Sequence, residues 1–320
     1  MRTISIALLG VLTATAVTVC QGDPRETPSP TSTPINLQPI PDKLVVLSFA
    51  DRGKSWRTFV GPLLKQYGFG ASFYVTNTNA DWFGYHEDPK YWISWKELRE
   101  LHEMGFELGN HSETHAHFTS LSVDEIVTQE LEPIDTAFER EGIPRSVSCA
   151  YPASVHDKRC VEALERMGYL FGRRGVAPEY PAALGNFVGP LYDPQEDHPY
   201  LIPTTFVWCS AFDENSTSAK EIYGQGSKKG STVADFIRAV DLAKDGKIAV
   251  VGFHGVPDYY THTSITPEQF KQCMDYLRDG GFQVIAVRDL VKYVDPRRKP
   301  IDPYAPINRR IKRLATAEKE

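Results

Sequence analysis

The sequence predicts an α/β fold built on a parallel sheet, and a (β/α) barrel rather than a doubly wound sheet. Three observations carry this. Short apolar runs rich in β-branched residues alternate with longer stretches of helical periodicity. No G-x-G-x-x-G or P-loop follows the first run, so the phosphate cradle of a nucleotide-binding sheet is missing. The chemistry-bearing residues Asp51, His111, Tyr151-Pro152 and His254 come just after predicted strand ends, where barrels place their active sites.

Lys43 to Phe49 is a continuous apolar run that suits a strand buried on both faces, ended by Ala50-Asp51-Arg52-Gly53. Trp56 to Tyr67 carries Phe59, Val60, Leu63 and Leu64 at helical spacing and is closed by Gly68. Ala71 to Thr76 reads as a second strand, followed by a polar, aromatic loop through Trp82, Phe83 and Tyr85. Ser94 with Glu97 forms a capping box for a helix that Gly105 stops. Phe106 to Gly109 is a short strand that delivers His111. Ser122 to Glu141 is a helix that Pro133 is expected to kink. Ser146 to Tyr151 is a strand, Lys158 to Met167 a helix and Tyr169 to Gly172 a strand. From Arg173 to Gly230 no period holds, and loops of such length are functional or disordered. The pattern then resumes with a helix over Val233 to Ala243 and a buried strand over Ile248 to Phe253. A helix over Pro267 to Arg278, a strand over Phe282 to Ala286 and a short helix over Asp289 to Tyr293 complete it. The tail from Asp295, with Arg309-Arg310-Ile311-Lys312-Arg313, reads as basic and exposed.

A chain of 320 residues with net charge -6 lacks the excess of clustered cations that phosphate binding needs, which argues against nucleic acid as a partner. Past the N-terminus no apolar run reaches the roughly 20 residues of a membrane span. The N-terminus itself differs. Arg2, the apolar run Ile4 to Val11, and Ala14 and Ala16 compose a signal peptide over residues 1–20. Cys20 stands where a bacterial lipoprotein carries its acylated cysteine, so an exported protein whose one link to a membrane is a lipid at Cys20 is expected. Residues 21–41, rich in Pro, Ser and Thr, read as an extended tether. The globular domain is then 42–295 and the basic tail 296–320. Cys149, Cys160, Cys209 and Cys273 show no C-x-x-C, and a domain this large needs no staples, so they are expected to be unpaired.

His111 and His115 stand in Gly109-Asn-His-Ser-Glu-Thr-His115, the spacing of a common half-site for a first-row metal. The strand before them places both in a loop at the barrel mouth. Asp51 follows the first strand and faces the same mouth. Two imidazoles and one carboxylate leave coordination positions open, as in a catalytic rather than a structural metal site.

Four stretches resemble the polysaccharide deacetylases of the NodB-homology type, carbohydrate esterase family 4. They are Leu-Ser-Phe-Ala-Asp51, Glu-Leu-Gly-Asn-His-Ser-Glu-Thr-His115, Ala-Tyr-Pro152 and Val-Gly-Phe-His-Gly255. The resemblance covers Lys43 to Asp295. It implies a distorted (β/α) barrel and a divalent metal, usually Zn2+, held by Asp51, His111 and His115. It also implies hydrolysis of N- or O-acetyl groups on sugars, with an acetylated polysaccharide or oligosaccharide as partner. His254 falls on the family's general acid. The main-chain N–H of Ala153 is the expected oxyanion donor, and Tyr151, Pro152 and Trp82 are expected to contact the substrate. Two positions depart from the family pattern. Ala50 occupies the place of the general-base Asp, and Ala150 that of an Arg which holds the base. The chain is therefore expected to be an impaired hydrolase, one with a substitute base drawn from Asp193, Glu196, Asp197 and His198, or a non-catalytic glycan- or metal-binding relative.

Overall fold

A strand that reads Leu-Val-Val-Leu-Ser-Phe-Ala has no polar face to turn to water. In the computed structural model, Leu44–Ala50 is buried at every position. The structure describes residues 36–77, 89–175, 178–179, 191–207, 232–256 and 264–317. The expected signal peptide with Cys20, most of the tether, the aromatic loop with Trp82, and Cys209 lie outside the described residues.

The strands in chain order are β1 (Leu44–Ala50), β2 (Ser72–Val75), β3 (Glu107–Asn110), β4 (Ser148–Ala150), β5 (Phe171–Arg174), β6 (Ile202–Pro203), β7 (Thr205–Phe206), β8 (Ala249–Phe253) and β9 (Gln283–Ile285). All pair in parallel, in the order β6-β5-β4-β3-β2-β1-β8-β7. The two ends of that order are neighbours in sequence. Only Thr204 separates β6, which pairs β5, from β7, which pairs β8. One short segment thus joins both ends and closes the ring into a (β/α) barrel. The distortion lies at β1, whose one edge is shared by β9 along Leu44 to Val46 and by β2 along Ser48 to Ala50.

The ring-closing pieces fall inside the span from Arg173 to Gly230 that the sequence reads as irregular. That expectation is corrected. Two-residue strands carrying Pro203, with Pro199 just ahead, are too short to show a period of two. Likewise β9 is a partner to β1 and does not occupy its own place in the ring.

The helices are α1 (Gly61–Tyr67), α2 (Trp95–Glu103), α3 (Val123–Glu125), α4 (Glu132–Arg140), α5 (Lys158–Met167), α6 (Val233–Asp241), α7 (Pro267–Asp279) and α8 (Ala305–Ala317). The capping box Ser94–Glu97 opens α2, and Gly68 in the left-handed region (φ 72°) ends α1. Between α3 and α4 the chain widens into a π-wound run, Ile126–Leu131, just before Pro133. A proline has no N–H and clashes with the preceding turn, and the wider winding accommodates it without breaking the helix. The basic tail is not simply solvated. Within α8, Ile307 is buried and Arg310 is ion-paired to Glu179 and Asp197.

Strand alternation divides the core into two. Val45, Leu47, Phe49, Phe73 and Val251 face the helices and pack with Val60, Leu64, Leu98 and Phe270. Leu44, Val46, Ala50, Tyr74, Ala150, Phe171 and Val250 fill the barrel interior. Ala50 and Ala150 are therefore inward positions at the C-terminal ends of their strands, directly under the mouth. Cys149, Cys160 and Cys273 are buried, and no disulfide joins them to one another.

Candidate metal centre

Immediately after Ala50 the chain turns through two left-handed residues, Asp51 (φ 73°) and Arg52 (φ 59°). The turn is held by Arg52, whose buried guanidinium donates from Nε to the Ile93 carbonyl (3.1 Å) and from Nη1 to Asn77 Oδ1 (3.1 Å). Its Cζ lies 4.4 Å from the ring centre of Trp95. Burial pushes the Arg52 pKa down to about 10, against the charges of Glu113 and Glu141. Such a conformation is unfavourable for residues with a Cβ, by order 1–3 kcal/mol each, and persists only where surrounding contacts enforce it. Among the described residues, six of the eight left-handed non-glycine residues fall in the loops after β1, β3 and β4: Asp51, Arg52, Ser112, His115, Ala153 and Ser154. The strain is concentrated at the mouth.

The loop after β3 is fixed by its own polar side chains. Asn110 Oδ1 accepts from the Ser112 N–H (2.8 Å), and Ser112 Oγ accepts from the His115 N–H (2.9 Å). Glu130 accepts from both the N–H (2.9 Å) and the hydroxyl (2.7 Å) of Thr114. His111 lies 2.8 Å through Nδ1 from the Ala150 carbonyl oxygen. A carbonyl can only accept, so the ring proton is on Nδ1 and the Nε2 lone pair is left free. That Nε2 lies 3.2 Å from Asp51 Oδ1, and His115 Nε2 lies 3.4 Å from the same oxygen. The two rings are 4.9 Å apart. Asp51 Oδ2 faces the other way, 3.2 Å from His254 Nε2. His254 is held in turn by Trp56 Nε1, which donates to its carbonyl oxygen (2.9 Å), and by stacking on Phe206 (5.3 Å).

Burial works against the charge on Asp51. The neighbouring imidazoles of His254, His111 and His115 outweigh it and hold the carboxyl well below its usual range. Burial likewise lowers His115, to about 4, with the charge of Asp51 opposing and those of His111, His254 and His117 reinforcing. In the neutral range both groups are in the deprotonated form that a cation requires.

Whether these residues fit a metal can be judged from one atom. Asp51 Oδ1 is buried and receives no hydrogen bond, although it faces two imidazole nitrogens. The tautomer of His111 makes its facing nitrogen an acceptor too. Acceptors turned toward one another are unfavourable unless a cation lies among them. Asp51 Oδ1, His111 Nε2 and His115 Nε2 sit within 4.8 Å of one another, a possible three-residue metal site. One oxygen and two nitrogens suit a divalent first-row metal. The residues fit.

The other predicted residues fall as follows. Ala50 is inward, 1 % exposed. Ala153 is exposed and left-handed (φ 50°), while the N–H groups after it, Ser154 and Val155, are spent on the Tyr151 and Pro152 carbonyls. Tyr151 and Pro152 are buried, and the Tyr151 hydroxyl donates to the Tyr200 carbonyl (2.8 Å). The Tyr151 side chain therefore packs in the barrel wall. The substitute-base residues are also corrected, because the groups facing Asp51 are imidazoles and these four are engaged elsewhere. Asp197 is buried against Arg310 (2.6 Å), Glu196 faces Arg309 (3.6 Å), and His198 Nδ1 accepts from the Tyr200 N–H (3.1 Å). Asp193 accepts from the Gln195 N–H (3.0 Å). Sequence reasoning missed Arg52, Asn110, Glu130 and Phe206. An Asx turn at Asn110 was readable; the others depend on tertiary neighbours.

Residues 38–172 match the family model described as polysaccharide deacetylase. No curated protein matches the chain. Among solved structures, the chain is similar to the Xyl-CE4 domain of a multidomain xylanase from the hindgut metagenome of Trinervitermes trinervoides, with 19 % identity over 81 % of this chain and 95 % of that one (TM-score 0.47). It is similar to the chitin deacetylase of Colletotrichum lindemuthianum, with 17 % identity over 82 % and 93 % of the two chains (TM-score 0.48). A third is BA3943, a CE4 family pseudoenzyme from Bacillus anthracis, at 16 % identity over 80 % and 68 % (TM-score 0.48). The segment that matches the polysaccharide deacetylase model contains β1 through β4 with Asp51, His111 and His115.

Proposed function

We propose that the chain is a metal-dependent hydrolase that removes acetyl groups from an N- or O-acetylated carbohydrate, slowed by the alanine at position 50. The observation that carries this reading is the buried Asp51 Oδ1, which receives no hydrogen bond and faces His111 and His115. Asp51, His111 and His115 would hold the metal, Zn2+ before other divalent ions given two nitrogen ligands. A divalent cation there supplies Lewis acidity toward an acyl carbonyl and toward water.

The protein's own residues supply the rest. The exposed, left-handed Ala153 offers its N–H to the developing oxyanion. His254, at the edge of the cluster, gives a proton to the leaving nitrogen or oxygen. Ala50 offers no proton acceptor at the inward position where the family carries its base. Loss of a general base lowers the rate by about 10²–10⁴-fold. An ester, with its better leaving group, suffers less than an amide. The inward alanine also favours a second reading, a glycan- or metal-binding relative without turnover.

The test is zinc content together with acetate release from chitin oligomers, peptidoglycan and acetylated xylan, before and after Ala50→Asp. One zinc per chain in both proteins and a rise of about 10²-fold or more in Ala50→Asp are expected. Bound zinc with no detectable release from either protein would sink the hydrolase reading and leave the binding one.

A further inference from the structure

Arg173 lies on β5 at an inward position, in register with Ala150 of β4. Its inward direction follows from its neighbours, since a Cβ at Gly172 would strike Leu164 on the helix side and Phe171 belongs to the interior cluster. The guanidinium lies between two rings, its Cζ 5.1 Å from the centre of Tyr74 and 5.0 Å from that of Phe206. Arg173 is 1 % exposed, and its Nε and Nη2 have no hydrogen-bond partner. An unpaired buried cation is strongly unfavourable, by several kcal/mol even after relaxation.

Which atoms are free says what would satisfy them. Nε–H and Nη2–H lie parallel along one edge of the guanidinium, the edge that takes both oxygens of a carboxylate. Among the described residues no side chain fills that role. The anionic carboxylate that Arg173 senses is Asp51, whose two oxygens face three imidazoles instead. Three inward positions near it are small, Ala50, Ala150 and Gly252, and a Cβ at Gly252 would strike the Phe206 ring. Phe206 is part exposed, lies against the Arg173 guanidinium and stacks on His254 of the mouth.

We propose that the Nε/Nη2 edge of Arg173 is a binding site for a small monocarboxylate of formate or acetate size, inside the barrel and separate from the metal-ligand cluster. The site does not depend on the metal. The identity of its natural occupant as released acetate rests on the hydrolase reading, because hydrolysis of an acetyl group yields a carboxylate of this size.

The experiment uses the metal-free protein in a buffer without carboxylates. Sodium formate and acetate are titrated against sodium chloride at matched ionic strength, reading the thermal midpoint and the line width of isotope-labelled formate. A saturable rise in midpoint with formate and acetate, absent with chloride, is expected. Arg173→Lys keeps the charge and loses the fork, and should weaken formate binding by about tenfold or more; Arg173→Met should abolish it. His111→Ala should leave it intact. Equal response to chloride, no response, or an unchanged response in Arg173→Lys overturns the proposal, the first two in favour of interior water. Loss of the response in His111→Ala would move the anion to the metal-ligand cluster. Should both Arg173 variants fail to fold, a formate-soaked crystal of the wild type decides, and no carboxylate on Nε and Nη2 overturns the site. Formate binding without zinc binding would leave the site standing and remove the hydrolase reading.

Discussion

Asp51 gives its two oxygens to different tasks, and the difference predicts unequal consequences for the three imidazoles around it. Oδ1 shares a point with His111 and His115, whereas Oδ2 faces His254. Removing a ligand and removing a group that orients a ligand are not equivalent. Outer partners of metal ligands typically change affinity by about 10–100-fold, while loss of one ligand from a set of three leaves too few donors. His111→Ala and His115→Ala should therefore lose stoichiometric zinc. His254→Ala should keep one zinc per chain, with affinity lower by about 10–100-fold. Zinc titration with a competing chelator separates the cases. Undiminished zinc in His111→Ala would remove the foundation of the metal site.

At the scale of the elements, the sheet is pinned at the start of β3 by Glu107. Its buried carboxylate accepts from the Ser72 hydroxyl of β2 (2.5 Å), the Ser148 hydroxyl of β4 (2.6 Å) and the Arg288 N–H (2.8 Å). Burial raises its pKa above the usual value even though these donors lower it. For a carboxyl raised in the folded state the unfolded chain is the stronger acid, so stability falls as pH rises past the unfolded value. Glu107→Gln removes that titration. Denaturant unfolding of both proteins should show the wild type losing stability relative to Glu107→Gln as pH rises above the ordinary carboxyl range; the opposite slope would contradict a raised pKa. The carboxylate and its serines illustrate what a sequence conceals. The largely apolar β1, the Ser94–Glu97 box and the candidate ligands Asp51, His111 and His115 were legible because each rests on a short local stretch. Glu107, Arg52 and Arg173 were not, because their roles depend on which strand lies beside them and which way alternation turns them. The closing strands β6 and β7 were hidden for a simpler reason, being too short and too rich in proline to show a period.

Across the whole molecule, the barrel is stitched from outside by its last helix. Arg174, the outward neighbour of Arg173, forms a fully buried pair with Glu179 (2.6 Å), and Arg310 of α8 reaches both Glu179 (3.1 Å) and Asp197 (2.6 Å). Ile307 buries beside this network and Ile311 packs against the cluster under α5. A run of arginines and lysines reads as a solvated face, yet one of them is the counter-charge for two buried carboxylates. Arg310→Met would leave Asp197 buried without its cation. Breaking such a pair costs about 2 to 4 kcal/mol here, less than for a fully enclosed pair because Arg310 is partly exposed and Glu179 keeps Arg174. Arg310→Met combined with Asp197→Asn should recover part of that loss, since the stranded charge goes with its partner. Denaturant unfolding measures both, and zinc content should stay at one per chain because α8 acts on the outer wall. A change near zero in Arg310→Met would return the tail to a solvated face. A loss that the double variant does not recover would mean that Arg310 acts by packing its stem rather than by its charge.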